Sequence, residues 1–167
     1  QKFPLTRLHS MTASETAKVL ENSYRAVNIA FIEEWGRFAE AAKVDLFEVL
    51  QAIRVRPTHS NIRQPGFGVG GYCLTKDPLL ADISARDLLN LQNVRFPFST
   101  EAVQINQNMP NVSVNRVEEL LNGSLQGKSI LLIGVSYRPD VADTRFSPSQ
   151  TFVSEARQRG ATISCYD

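Results

Sequence analysis

Near the start of the chain, apolar residues recur every three or four positions, which predicts one long amphipathic helix over Ala13 to Ala42. Thr12, followed three residues later by Glu15, predicts a capping box at the start of this helix. A buried stripe this long needs a second helix to cover it, from this chain or from a second copy. The stripe consists of Ala17, Leu20, Tyr24, Val27, Phe31, Trp35, Phe38 and Ala42.

Three shorter helices are predicted further along the chain. Asp45 can cap a helix over DLFEVLQAI, with Glu48 in the third position. Pro78 suits the first position of a helix over PLLADISARDLL. The last of the three runs from about Ser99 to Leu121, and Pro110 should end or kink it.

The pattern changes in the last part of the chain. SILLIGV is a short apolar run rich in branched residues, which predicts a strand buried on both faces. Ser147 and Pro148 open a helix that stops at Gly160, and ATISCYD predicts a second, parallel strand. We therefore expect a mainly α-helical domain over residues 1–122 and the truncated beginning of a parallel α/β domain over residues 123–167.

Composition narrows the class of protein. The hydrophobic share is 43%, the charged share is 21% and the formal net charge is +1, so nothing favours nucleic acid as a partner. No apolar run is long enough for a membrane span, and the N-terminus lacks a secretory signal. The two cysteines are too few for a disulfide scaffold, which indicates a soluble cytoplasmic protein. We expect no metal site.

The segment GFGVGG, residues 66–71, matches the spacing of a dinucleotide fingerprint but lacks its context. The residues before it, NIRQP, are not a strand, and the next helix starts only at Pro78. The glycines are therefore expected to let backbone come close to another group. Cys73 follows on the same loop, three residues before Lys76, a setting that favours a reactive thiolate. The alternative is a small buried thiol, which is our prediction for Cys165 in the second strand.

Three polar residues elsewhere are candidates for catalysis. Lys18 and Asn22 lie four apart on the first helix, so they share a face and can donate hydrogen bonds to an oxyanion. The alternative is a solvated polar face. Asp77, directly before Pro78, is placed to cap the next helix, a role compatible with proton transfer.

Two arginines lie on the loop after the first strand, where ligands bind in open α/β sheets. Arg138 and Arg145 can meet phosphate oxygens there. Alternatively, they pair with Asp140 and Asp143 at the surface.

Three segments in order resemble the UDP-glucose/GDP-mannose dehydrogenase family over nearly the whole chain. They are SETAKVLENSYRAVNIAFIEE, PGFGVGGYCLTKDP and ILLIGVSYRPDVADTRFSPS. The resemblance implies that residues 1–122 are the central domain, which forms a homodimer through its long helix. It implies that residues 123–167 begin a Rossmann-like C-terminal domain that contacts UDP. It also implies a missing N-terminal domain that holds most of the NAD, so we expect the chain alone to be inert.

The implied reaction is a four-electron oxidation of the primary alcohol of a nucleotide-sugar to a carboxylate, with NAD as cofactor. Cys73 matches the nucleophile that forms a thiohemiacetal and then a thioester. Lys18 and Asn22 match the residues that steady the oxyanion and position water, and Asp77 matches an aspartate that assists proton transfer.

Further roles also come from the resemblance. Lys76 and Arg145 match positions near the cofactor. The positions that match substrate contacts are Arg56 (with Arg54 as the alternative in this register), Gly70, Tyr137 and Arg138, although the family usually has lysine where Arg138 stands. The loop is more similar to members that act on UDP-N-acetylhexosamines, such as UDP-N-acetylmannosamine, and Tyr72 stands where many relatives have histidine.

Two other functions remain open at this point. One is a two-electron hydroxyacid dehydrogenase of the group that shares the Lys-x-x-x-Asn helix, which needs no thiol. The other is a dimerisation scaffold without catalysis. Replacement of Cys73 discriminates between the two enzymes.

Overall fold

A computed structural model describes residues 5–167. The helical part contains α1 (Met11–Ala42), α2 (Leu46–Arg54), a 3₁₀ turn (Pro57–His59), α3 (Asp77–Ile83) and α4 (Pro97–Leu120). A π-helical turn (Ser84–Leu88) follows α3 directly. The second part contains β1 (Ser129–Ile133), α5 (Pro148–Gln158) and β2 (Thr162–Tyr166).

This arrangement confirms the predicted fold class, a mainly helical part followed by a β-α-β unit. The two strands pair in parallel, with Ser129 opposite Thr162. The Ser147 hydroxyl caps α5, as predicted, by accepting a hydrogen bond from the N–H of Ser149. Gly160 follows α5 with a φ of +88°, a left-handed conformation that costs glycine little.

The long helix is confirmed, but its predicted capping box is wrong. Helix α1 begins at Met11, and the hydroxyl of Ser10 accepts the N–H of Ala13 at 3.1 Å. Ser10 has the extended backbone of an N-cap, with a φ of −147°, so Thr12 already lies inside the helix. The Asp45 cap of α2 is confirmed, because its carboxylate accepts the N–H groups of Phe47 and Glu48.

The apolar stripe of α1 is not buried by the rest of this chain, so of the two predicted ways to cover it, only a second copy remains. Its large side chains are 46–66% exposed, namely Leu20, Tyr24, Phe31, Trp35 and Phe38. Helix α4 packs instead on a face of small residues, where Ala26 and Ala30 meet Ala102. The amide of Asn106 also donates a hydrogen bond to the carbonyl of Ala26 at 3.1 Å. Small side chains let the two backbones come close, so α4 covers the alanine face and leaves the large apolar residues outside.

Helix α4 continues through Pro110, so of the two predicted effects of this residue, the end of the helix does not occur, and a kink stays a prediction. A proline inside a helix costs about 3 kcal/mol. Pro110 is fully buried, and Met109 and Val114 near it are buried too. Each such side chain contributes about 1.5–3 kcal/mol when it leaves water, which offsets the cost of the proline.

The β-α-β unit is covered on one face only. Ile130 and Leu132 pack with Phe152 of α5, whereas Leu131 and Ile133 are exposed. The prediction that the first strand is buried on both faces is therefore wrong for this chain. Cys165, predicted to lie in the core, is exposed because β2 is an edge strand in a two-stranded sheet.

Membrane spans and metal clusters are both absent from the part of the chain that the structure describes. Among residues 5–167, no helix is long and apolar enough to cross a membrane. No group of three or more His, Cys, Asp or Glu side chains in the described residues could hold a metal ion.

Glu33 is a buried carboxyl on the inner side of α1, where only 7% of the residue is exposed. Burial raises the pKa of Glu33 above its ordinary value of 4.5, and Arg37 and the N–H of Gly66 oppose this rise. One turn along, Gly36 lies against Pro65, so close that an added Cβ would stand 3.0 Å from the proline ring. Helix α1 thus supports the beginning of the glycine-rich loop.

We expect Glu33→Gln to raise the melting temperature at pH 8, with a gain that shrinks as the pH falls. A carboxyl with a raised folded pKa favours folding only while protonated, and this contribution is lost as the pH rises through that pKa. Thermal melts between pH 5 and pH 8 measure the effect. The matched control is Glu34→Gln, on the exposed side of the same turn. A variant that is less stable than the original at pH 8 would contradict the prediction.

Candidate active site

A chain of polar contacts joins two segments that lie far apart in the sequence. The Lys18 ammonium donates to Asn22 Oδ1 at 3.4 Å, and Asn22 Nδ2 donates to Asp77 Oδ2 at 2.8 Å. The other carboxylate oxygen, Asp77 Oδ1, accepts from Lys76 Nζ at 2.6 Å. The structure therefore brings together four of the predicted site residues, two from α1 and two from the start of α3.

The centre of this chain is buried and its ends are not. Asn22 is 0% exposed and Asp77 is 8% exposed. The alternative of a solvated polar face is therefore wrong for Asn22. Lys18 is half-exposed and also lies 3.5 Å from Glu21 at the surface. Removing one partner of a buried hydrogen bond leaves the other unsatisfied, at a cost of about 1–3 kcal/mol.

Asp77 does not cap the helix that follows it, contrary to the prediction from its place before proline. It is the first residue of α3, and Lys76 occupies the capping position without a side-chain cap. Both carboxylate oxygens of Asp77 are used by other side chains, Asn22 and Lys76. The Lys76 ammonium group and the Asn22 amide thus donate to this carboxylate in place of the backbone N–H groups that a capping carboxylate would accept.

Cys73 is exposed, and its backbone is tied to the beginning of α3. Its carbonyl accepts the N–H groups of Lys76 at 3.3 Å and Asp77 at 2.9 Å. The hydrogen bond to Asp77 raises the pKa of Lys76, and the Cys73 side chain adds to this rise. Lys76 therefore stays a cation, in the same turn as an accessible thiol.

The glycines of the loop lie against the second part of the molecule, as the expectation of a close approach requires. A Cβ on Gly68 would clash with Pro148, and one on Gly70 would clash with Tyr137 and stand 2.9 Å from the Phe146 carbonyl. Gly71 has a φ of +79°, and its N–H donates to the Arg145 carbonyl at 3.0 Å. The groups that approach these glycines are the loop between β1 and α5 and the first residue of α5.

The same loop carries three predicted ligand contacts. Tyr137 packs on Gly70 and Gly71. Arg145 is exposed and forms an ion pair with Asp143 at 2.7 Å, and this contact lowers the pKa of Asp143. Arg138 is exposed, with no ion pair among the described residues.

The two arginines near the end of α2 differ in their contacts. The guanidinium of Arg54 donates to the Ile62 carbonyl at 2.7 Å, so it holds the chain in place. Arg56 is exposed at the start of the 3₁₀ turn. Of these two arginines, Arg56 is therefore the one that is available to a ligand.

An aromatic contact beside Cys73 was missed by the sequence analysis. The rings of Tyr72 and Phe146 meet edge to face, with centroids 5.5 Å apart. The ammonium of Lys76 lies 5.2 Å from the centroid of the Tyr72 ring. No periodicity links positions so far apart in the chain, so the only signal available was Tyr72 itself, next to the thiol.

Comparison with known proteins gives a consistent result. The central domain of the UDP-glucose/GDP-mannose dehydrogenase family matches residues 12–108. A UDP-N-acetyl-D-mannosamine dehydrogenase from Methanocaldococcus jannaschii is 31% identical over 92% of this chain and 34% of its own length. One from Pyrococcus horikoshii is 32% identical over 96% of this chain and 37% of its own. The chain thus spans about a third of the length of these curated relatives.

Solved structures show the same similarity. An NDP-N-acetyl-D-galactosaminuronic acid dehydrogenase from Methanosarcina mazei matches with a TM-score of 0.84 at 25% identity, over 95% of this chain and 35% of that one. A UDP-glucose dehydrogenase from Pyrobaculum islandicum matches with a TM-score of 0.82 at 27% identity, over 92% of this chain and 34% of that one.

We expect Gly70→Ala to lower the free energy of unfolding by about 1–3 kcal/mol, because the new methyl group meets backbone and a Cβ that cannot move independently. Gly66→Ala is the matched control, since a Cβ there has nothing within 4 Å. Denaturant unfolding of both variants measures the difference. Equal stability of the two would show that the loop does not need its close approach to Tyr137.

Proposed function

This chain belongs to the UDP-glucose/GDP-mannose dehydrogenase family, and on this premise we propose that the whole protein oxidises a nucleotide-sugar with NAD. The primary alcohol of the sugar becomes a carboxylate in a four-electron reaction. The observation that carries the proposal is an exposed thiol, Cys73, beside the polar chain formed by Lys18, Asn22, Asp77 and Lys76.

The proposed reaction has four steps: oxidation of the alcohol, addition of Cys73, a second oxidation and hydrolysis. The alcohol loses a hydride and a proton and becomes an aldehyde. The thiolate of Cys73 adds to the carbonyl carbon, and the carbonyl oxygen becomes the alkoxide of a thiohemiacetal. Loss of a second hydride gives a thioester, and water then releases the carboxylate and the free thiol. The covalent bond keeps the aldehyde from escaping between the two oxidations.

The neighbouring residues suit these intermediates. After its contacts with Asn22 and Glu21, the Lys18 ammonium group has one N–H left, which can donate a hydrogen bond to the alkoxide. The buried Asn22 fixes the position of Asp77, which can receive and return protons during addition and hydrolysis. Lys76 carries its positive charge in the same turn as Cys73, because its backbone N–H is bonded to the Cys73 carbonyl.

The positive charges around the cysteine loop suit NAD as the cofactor. NAD, when bound, supplies the acceptor for each hydride. Lys76 and Arg145 would hold it, because both are exposed cations, and the Arg145 carbonyl is bonded to the N–H of Gly71 in the cysteine loop. We place the reaction in the cytoplasm, since Cys73 and Cys165 are both free thiols.

For the substrate we propose a UDP-N-acetylhexosamine, with UDP-N-acetylmannosamine as the first candidate. Two of the relatives described above carry the name of a dehydrogenase of that sugar. Gly70, Tyr137, Arg138 and Arg56 are the proposed contacts to the nucleotide-sugar. Tyr137 lies directly on the cysteine loop, so a substrate held there would stand near the thiol.

We also propose that two copies associate through the exposed stripe of α1. Three aromatic side chains, Phe31, Trp35 and Phe38, contact one another there, with ring centroids 6.4 Å and 5.6 Å apart. Aromatic residues exposed together mark an association surface, because water solvates them poorly. A symmetric pair would bury the stripe of each copy against that of the other.

The proposed reaction predicts that two NADH form for each sugar consumed by the whole protein. The test measures NADH yield over a panel of UDP-hexoses and UDP-N-acetylhexosamines. Cys73→Ala should lower kcat by about 10⁴-fold or more, whereas Cys165→Ala, which removes the other exposed thiol, should leave it unchanged. One NADH per turnover, unaffected by the loss of Cys73, would move the protein to the two-electron group.

The proposed dimer predicts that Trp35→Glu weakens association by at least about tenfold, because a charge would be buried in the centre of the interface. Sedimentation of the whole protein over a range of concentrations measures this change. Phe98→Glu is the matched control, since Phe98 is exposed on α4 and does not belong to the stripe. If both variants sediment like the original, the α1 stripe is not the interface.

A further inference from the structure

Tyr72 connects two parts of the molecule that the proposed mechanism treats separately. On one side its ring meets Phe146, from the loop between β1 and α5, edge to face at 5.5 Å. On the other side the ammonium group of Lys76 lies over the ring, 5.2 Å from its centroid. Tyr72 thus stands between the second part of the molecule and the polar chain beside Cys73.

The backbone of Phe146 is constrained by its surroundings. Its φ of +53° is left-handed, a conformation that a bulky residue adopts only where the surroundings impose it. Its carbonyl lies so close to Gly70 that a Cβ there would be 2.9 Å away, and the preceding carbonyl, of Arg145, accepts the N–H of Gly71. The backbone of Phe146 is therefore set by its surroundings, and its ring offers an apolar surface against which Tyr72 can rest.

Lys76 needs such a support. Its side chain is half-exposed and has four rotatable bonds, and its side-chain hydrogen bond runs to Asp77 Oδ1 at 2.6 Å. That single contact fixes the distance to Asp77 and leaves the ammonium group free to pivot around the carboxylate. The Tyr72 ring attracts the cation from a second direction, which restricts this pivoting.

We propose that Tyr72 is a positioning residue, whose ring rests on Phe146 and holds the Lys76 ammonium group beside the Cys73 thiol. The inference rests on the proposed function in so far as Cys73 is the nucleophile. It assigns to Tyr72 a role in the reactivity of the thiol rather than in contact with the sugar. It also gives the loop between β1 and α5 a means to affect the thiol without touching it.

The first test measures how fast iodoacetamide alkylates Cys73 in the whole protein, followed on the Cys73 peptide by mass spectrometry. Cys165, also exposed, is the internal reference in the same sample. Tyr72→Leu should slow alkylation of Cys73 about two- to fivefold, the range expected for an exposed cation–π contact, and leave Cys165 unchanged. Tyr72→Phe keeps the ring and should react at the original rate.

Two double-variant comparisons test the route of the effect. In a Lys76→Met background, Tyr72→Leu should cause no further slowing, because the cation that the ring holds is gone. Phe146→Leu should slow alkylation by itself, and adding Tyr72→Leu should not slow it further. Losses that multiply in either pair would show independent effects and overturn the proposal.

Steady-state kinetics distinguish positioning from substrate binding. In the whole protein, Tyr72→Leu should lower kcat by the same factor as it lowers the alkylation rate, with KM for the nucleotide-sugar unchanged. A raised KM with an unchanged kcat would make Tyr72 a substrate contact and overturn the inference. Failure of the proposed function is a separate result, because an active Cys73→Ala enzyme would refute it without affecting the alkylation comparisons.

Discussion

The hydrogen bond between Asn22 and Asp77 is the contact on which the arrangement of the site depends. It joins α1 to the start of α3 across 55 residues of sequence, at 2.8 Å and with both partners buried. The carboxylate cannot turn toward its own helix while Asn22 and Lys76 occupy its oxygens. Because the Cys73 carbonyl accepts the N–H of Asp77, fixing this aspartate also fixes the backbone of the cysteine. One buried hydrogen bond therefore ties the backbone of Cys73 to the side of α1 that carries Asn22.

The glycine-rich loop connects this site to the rest of the molecule. At one end it starts on α1, where Pro65 packs on Gly36 and the N–H of Gly66 faces Glu33. In its middle, Gly70 and Gly71 admit the loop that carries Tyr137 and Arg145. Side chains at these positions would separate the helical part from the β-α-β unit. The spacing that resembles a dinucleotide fingerprint thus serves close packing between two parts of one protein.

The sequence predicted what local chemistry decides. The Asp45 and Ser147 caps, the parallel pairing of the strands and the place of the glycine-rich loop follow from a few neighbouring residues each. Several of the wrong predictions concern which partner covers a surface. Two predicted caps were also wrong, because Ser10 rather than Thr12 caps α1 and because the carboxylate of Asp77 accepts from Asn22 and Lys76. Periodicity showed that α1 has an apolar stripe but not that α4 would choose the alanine face, and Pro110 gave no sign of the burial that keeps α4 continuous.

The candidate site also contains contacts that the sequence could predict and contacts that it could not. Lys18 and Asn22 share a face because a helix repeats, so their proximity was predictable, whereas their junction with Asp77 depends on how α3 packs on α1. Helix α1 itself has two separate tasks. Its small and polar residues hold α4, the glycine-rich loop and Asp77, and the large apolar residues of its stripe face outward. A partner on the outer side would restrain the same helix that carries Lys18 and Asn22, so association and catalysis would share one rigid element.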